Sequence, residues 1–153
     1  LQINLFNLLR QIVNYKRVFL DANIILDMYD ENRPFHKESS KAIYRLLQEK
    51  NIDIFTSCDI ITTLYYVLSK KGKIKALDSI LDINELCIVI EFGNKEIEES
   101  CKFMKNNKNF TDLEDTIQYI MAKKVACDLI LSNDNGFVSE GIVLMSSGKF
   151  ICV

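Results

Sequence analysis

Val18-Phe19-Leu20-Asp21 constrains this chain more than any other stretch: three consecutive apolar residues stop on a carboxylate, and a second apolar run, Ile24-Ile25-Leu26, follows at once. A short apolar run without polar alternation reads as a strand buried on both faces, the situation of a central strand in a parallel sheet. Open α/β sheets bind their ligands outside the carboxyl ends of the strands, which makes Asp21 a candidate site residue. The same position suits an Asp that caps the following helix. On this segment alone both readings stay open.

The chain repeats the pattern of apolar strand and helical periodicity. A helix is expected over Glu38–Glu49, with Ala42, Ile43, Leu46 and Leu47 on one face, and a strand over Ile52–Thr56. Helices at Asp59–Ser69 and Ile74–Leu81 precede a strand at Leu86–Ile90, and a further helix covers Lys95–Met104. Thr111 is expected to cap a long helix reaching Cys127, followed by short strands at Leu129–Leu131 and Ile142–Met145, with Phe150–Val153 closing the chain. Strands alternating with helices imply a parallel sheet covered on both faces, a three-layer α/β/α domain. Ahead of it, Leu1–Tyr15 places Ile3, Phe6, Leu9, Ile12 and Val13 at helical spacing, an amphipathic helix too short and polar to span a membrane and without a signal-peptide cleavage site.

Length and charge limit the function classes. A chain of 153 residues is long enough for one full core without disulfide staples. Nineteen Lys and Arg against 21 Asp and Glu exclude a broad DNA-coating surface, while a local basic rim stays compatible. Five cysteines without CxxC spacing, most of them inside apolar runs, read as reduced core thiols of a cytoplasmic protein rather than disulfides or a zinc site. His36 is the single histidine and belongs to a helix start rather than to a catalytic base.

Three acidic clusters punctuate the map: Asp21; Asp112, Glu114 and Asp115; and Asp134. Each has a structural reading. Acids in a helix's first turn complement its dipole, and Asn-Asp-Asn-Gly at 133–136 is ordinary turn chemistry. Together, however, they fall where the strand carboxyl ends of a doubly wound sheet share one edge. Carboxylates gathered there are costly without a cation, and all-oxygen ligation suits Mg²⁺ or Mn²⁺. Such ions activate a water and stabilise the leaving oxygen in phosphodiester hydrolysis.

The blocks FLDANIILDMY, ENRPFHKESSKAIYRL, FTSCDIITTLYYVL and TDLEDTIQYIMAKKVACDLILSNDNGF resemble, in this order from Arg17 to the C-terminus, bacterial PIN domains of the VapC-like toxin branch. The resemblance implies a Mg²⁺- or Mn²⁺-dependent endoribonuclease on an α/β/α fold, acting as the toxin of a toxin–antitoxin pair, with RNA as substrate and an antitoxin protein as partner. It divides the chain into an N-terminal extension, 1–16, and a PIN-like nuclease domain, 17–153. It places Asp21, Glu114, Asp115 and Asp134 as catalytic and metal-binding residues, with Asn23 and Ser132 at the family's usual Asn and Ser/Thr positions. The chain departs from the pattern at Thr63, where many members carry Glu (Asp59, one turn earlier, is a helix-start acid), and at Asn133 and Gly136, where the loop usually carries Arg and a second acid.

Two readings follow: the metal-dependent ribonuclease, and a PIN-like binding module that no longer cleaves. A phosphoryl-transfer receiver with Asp21 as nucleophile is weaker, because Asp21-Ala22-Asn23 lacks the second Asp of a DxD pattern. Arg33, Lys37 and Lys108 are candidates for phosphate recognition. The aromatic and aliphatic surplus of Thr62–Leu68, including Tyr65 and Tyr66, points to a homodimer or antitoxin interface.

Overall fold

An apolar run without polar alternation has no solvent face, and Val18, Phe19 and Leu20 are fully buried. The structure, a computed structural model, describes residues 15–153. The expected N-terminal helix therefore lies outside the described residues, except for Tyr15.

Strand β1 (Arg17–Leu20) leads into α1 (Ala22–Tyr29) and α2 (His36–Gln48). Strand β2 (Asp53–Ser57) is followed by α3 (Cys58–Leu68), a 3-10 turn at Ser69–Lys71 and α4 (Lys73–Leu86). Strand β3 (Ile88–Ile90) precedes α5 (Asn94–Asn106) and α6 (Leu113–Lys124), and β4 (Leu129–Leu131), β5 (Val143–Met145) and α7 (Ser147–Ile151) complete the described elements. The sheet order is β3-β2-β1-β4-β5, every pairing parallel. Helices flank the sheet, α1 and α7 against α2 and α5 against α6, as the three-layer expectation requires.

This order matters for the site. The chain builds outward from β1 to β2 and β3, then returns to the other side of β1 for β4 and β5. The switch falls between β1 and β4, where Leu20 pairs with Leu131. Crevices of doubly wound sheets open at this point, and the next residues of the two strands are Asp21 and Ser132.

Several boundaries differ from the sequence reading for local reasons. The helix expected to stop at Leu81 runs on to Leu86, because Ile83 continues the inward face and is fully buried; β3 then begins at Ile88. The C-terminal residues form a short helix whose cap, Ser146 Oγ, accepts from Lys149 N at 3.2 Å. Asp112, not Thr111, caps α6: its Oδ1 accepts from Asp115 N at 3.0 Å. The cysteines are free, but only Cys87 and Cys127 are buried, and Cys152 is exposed. Burial pushes the thiols of Cys87 and Cys127 up to about 12, leaving both inert.

Helix α6 ends at Lys124 rather than Cys127 because Ala126 adopts φ +52°. Cys127 N bonds Ala122 O at 2.9 Å and Ala126 N bonds Lys123 O at 3.0 Å, the paired bonds of a Schellman ending. Glycine ordinarily fills such a position, and its absence hid this stop in the sequence. An L-residue there costs about 1–2 kcal/mol, against about 0.4–1 kcal/mol of extra unfolded-state entropy for glycine. Ala126→Gly is therefore expected to raise stability by about 0.5–1 kcal/mol, read as a higher urea midpoint at unchanged slope; a lower midpoint contradicts the strain assignment.

Candidate active site

Asp21 occupies the N-cap position of α1, yet its side chain makes no capping bond. Instead Oδ2 accepts from Asn23 Nδ2 and from Ser132 Oγ, both at 2.6 Å. The carboxylate is 5% exposed. Burial pushes its pKa up to about 6; the donations from Ser132, the Ala22 backbone and Asn23 oppose the rise, and the charge of Asp134 adds to it.

From Asp21 the hydrogen bonds continue into the loop after β4. Ser132 Oγ accepts from Asp134 N at 3.0 Å, and Asp134 Oδ1 accepts from Gly136 N at 2.7 Å. Asn133 N donates to Asn23 Oδ1 at 2.9 Å. Ser132 is buried and Asp134 exposed, so the loop rises from the interior at the end of β4 to the surface. Gly136 permits this turn: a Cβ there would lie 3.2 Å from Asp134 Oδ1.

The start of α6 supplies the remaining acids. Half-buried Asp115 has its pKa pushed up to about 7, first by burial and then by the charges of Asp21, Asp112, Asp134 and Glu114. Glu114 is exposed; partial burial raises its pKa, helped by Asp59 and Asp112. Asp21, Asp115 and Asp134 thus share one electrostatic neighbourhood, whereas Glu114 faces Asp59 and Asp112 on its flank. Asp59 accepts a short hydrogen bond from Ser57 Oγ at the first turn of α3.

Other candidates sit as follows. The Arg33 Nε is held at 2.6 Å by Asp27 Oδ1 rather than free for phosphate, while Lys37 and Lys108 are exposed. His36 starts α2 and its Nδ1 lies 2.7 Å from the Asp27 carbonyl. Tyr66 is 67% exposed, with Lys70 Nζ 4.6 Å from its ring centre, and Tyr65 is half-buried.

The sequence reading passed over Asp27. It is 1% exposed and meets Arg33, Ser39 Oγ at 3.0 Å and Asn133 Nδ2 at 2.8 Å. The signal was present: Asp27 lies three residues after Ile24, on the inward face of an otherwise apolar helix.

The donor set fits a hard divalent cation. Its members are carboxylates, two of them destabilised by burial and by one another, so a cation would relieve both costs. Among the described residues no three Asp, Glu, His or Cys side chains stand close enough to cage an ion unaided. Mg²⁺ does not require such a cage, because it keeps several waters and takes only one or two carboxylates directly. A surface depression of about 440 Å³, bordered by Lys95, Glu98 and Phe103 of α5, shares no residue with the acids.

The PIN domain pattern matches residues 18–139 of this chain, most of its length and all three acidic clusters. The chain belongs to the PIN-domain family. It is 47% identical over 138 residues to the Ribonuclease VapC1 of Aquifex aeolicus (strain VF5), a match covering 90% of this chain and 95% of that protein. Its fold resembles the sarcin-ricin loop cleaving toxin VapC20 of Mycobacterium tuberculosis, with a TM-score of 0.65 at 14% identity over 82% of this chain and 96% of that one. It also resembles VapBC2 from Rickettsia felis, bound to a DNA fragment from their promoter, with a TM-score of 0.66 at 16% identity over 85% and 98% of the two chains.

Asp21 and Asp115 hold their protons more tightly in the folded protein than in the unfolded chain. Folding is therefore favoured at low pH, and this contribution is lost as pH climbs from about 4 to about 7. In EDTA, Asp115→Asn is expected to raise the melting temperature at pH 8 and to leave it nearly unchanged at pH 4. Equal effects at both pH values contradict the charge crowding.

Proposed function

We infer that the chain is a ribonuclease that hydrolyses RNA phosphodiester bonds, with Asp21, Asp115 and Asp134 as the metal-holding acids and Glu114 beside them. What supports this reading is that the charges of Asp21 and Asp134, at the carboxyl ends of β1 and β4, both bear on half-buried Asp115. The likeness to the Aquifex ribonuclease favours RNA over other phosphodiesters.

A bound Mg²⁺ or Mn²⁺ supplies a Lewis acid and an acidified water. The chain's own residues do the rest. Asn23 and Ser132 orient the Asp21 carboxylate with two donated hydrogen bonds. Asp115 in its ionised form would hold the ion, because a bound cation offsets the burial and the neighbouring charges that raise its pKa, beside the attacking water that the ion would acidify. Glu114 orients that water from the rim. Attack at phosphorus breaks the bond to the leaving ribose oxygen without a covalent enzyme intermediate, since no histidine or cysteine lies among these residues. Lys37 and Lys108 are the proposed phosphate contacts.

The same reading makes the chain the toxin of a toxin–antitoxin pair, working in the cytoplasm, with residues 17–153 as the nuclease domain. An antitoxin, or a second copy, needs apolar surface; Tyr66 on α3 and Ile74, Leu77 and Leu81 on α4 are all more than 45% exposed. No helix among the described residues is long and apolar enough to cross a membrane.

The test is RNA cleavage by the purified chain in Mg²⁺ or Mn²⁺, beside EDTA and Asp21→Asn. The expected result is cleavage that EDTA abolishes and that Asp21→Asn lowers by about 100-fold or more, above the usual loss for an outer-sphere partner. Cleavage surviving both treatments contradicts the mechanism, and no cleavage by the antitoxin-free protein favours the binding-module reading.

A further inference from the structure

Asn133 stands between two site residues, Ser132 and Asp134, but points away from the acids into a buried polar knot. Its Nδ2 donates to Asp27 Oδ2 at 2.8 Å and to Ser39 Oγ at 2.9 Å. Its Oδ1 accepts from the backbone N and the Oγ of Ser147, both at 2.9 Å. A carboxylate on one side and a backbone N–H on the other leave only one orientation for the amide. With its own N–H on Asn23, this residue ties the loop to α1, α2 and α7 at once.

The knot has a firm base. Asp27 is charge-paired with Arg33 and also receives Ser39 Oγ, so removing the Asn133 amide still leaves Asp27 partnered. What such a change removes is the loop's side-chain anchorage to Asp27, Ser39 and Ser147, leaving the backbone N–H on Asn23. Ser132 would lose the neighbour that holds it under Asp21, and Asp134 would lose its fixed height above the crevice.

We propose that Asn133 is a positioning residue: through Asp27, Ser39 and Ser147 it sets the spacing of Asp21, Ser132 and Asp134, and so the site's affinity for a divalent cation. The proposal rests on the metal-dependent reading above. Partners that orient ligands without touching the ion typically govern about 10–100-fold in metal affinity. Asn133 acts one step further along the chain of contacts, by holding the loop that carries both a ligand and the donor to another.

The test compares Asn133→Ala with Arg45→Ala. Arg45 also joins α2 to α7, through Nη1 to Phe150 O at 2.9 Å and its guanidinium over the Phe150 ring, but it does not touch the loop. Two readouts are taken: Mn²⁺ binding by calorimetry and backbone hydrogen exchange over residues 132–137 in EDTA. Asn133→Ala is expected to weaken Mn²⁺ binding about tenfold or more and to speed exchange in that loop. Arg45→Ala is expected to leave both at wild-type values even where its melting temperature falls as far. Ser147→Ala, which removes one donor to Asn133, should shift both readouts in the same direction by less; it replaces Asn133→Ala if that variant does not fold. The proposal is overturned if loop exchange is unchanged, or if variants matched in melting temperature bind Mn²⁺ alike. Should the wild type neither bind Mn²⁺ nor cleave RNA, the functional reading fails, and hydrogen exchange alone decides the clamp.

Discussion

Burying the Asp21 carboxylate is the constraint on which the rest of this structure depends. A charge so nearly removed from water needs donors held in place, and the donors come from opposite ends of the chain. Asn23 lies in the next turn, whereas Ser132 arrives 111 residues later through the parallel pairing of Leu20 with Leu131. That pairing makes β1 and β4 neighbours and brings the loop carrying Asp134 beside Asp21 at their carboxyl ends. One register therefore decides both the core of the sheet and the floor of the site. Shifting it by a residue would send the side chains of β4 to the opposite face and withdraw the serine.

Around that floor the acids are graded by exposure. Asp21 is buried, Asp115 half-buried, and Asp134 and Glu114 reach solvent. In the proposed mechanism such a gradient would let a hydrated cation approach from outside while the deepest carboxylate, Asp21, is held by Asn23 and Ser132. It also means that the metal-free fold carries unrelieved repulsion, a local sacrifice of stability of the kind functional sites impose. Asp27 answers a different problem. Its inward-facing carboxylate is neutralised by Arg33 and joined by Ser39 and Asn133, so the charge buried beneath the loop is satisfied without drawing on the site. The loop position where the PIN pattern carries Arg holds a neutral amide here, and the cation beside Asp27 comes from the segment between α1 and α2.

Much of this was legible in the sequence because the signals were chemical and local. Apolar runs without alternation marked β1 and β4, helical spacing marked the covering layers, and carboxylates at strand ends marked the crevice. The stop at Ala126 was hidden, since a left-handed residue without glycine leaves no compositional trace. The cap of α6 shifted from Thr111 to Asp112 because both residue types cap well and only the helix start decides between them. Arg33 is a phosphate candidate by charge and place in a polar segment, and only the fold shows its pairing with Asp27. Helical spacing marks Asp27 as an inward-facing carboxylate, but its bond to Asn133 spans 106 residues, which no local pattern encodes.

The central claim is that chain-distant acids meet at the β1–β4 switch to hold a divalent cation. The most direct measurement is an anomalous difference map from crystals soaked in Mn²⁺ at the concentration that supports cleavage. A peak bordered by Asp21, Asp115 and Asp134, with waters filling the remaining positions, is the result this account predicts. A map without density there, or with Mn²⁺ bound by other residues while Asp21 keeps only Asn23 and Ser132, would contradict it.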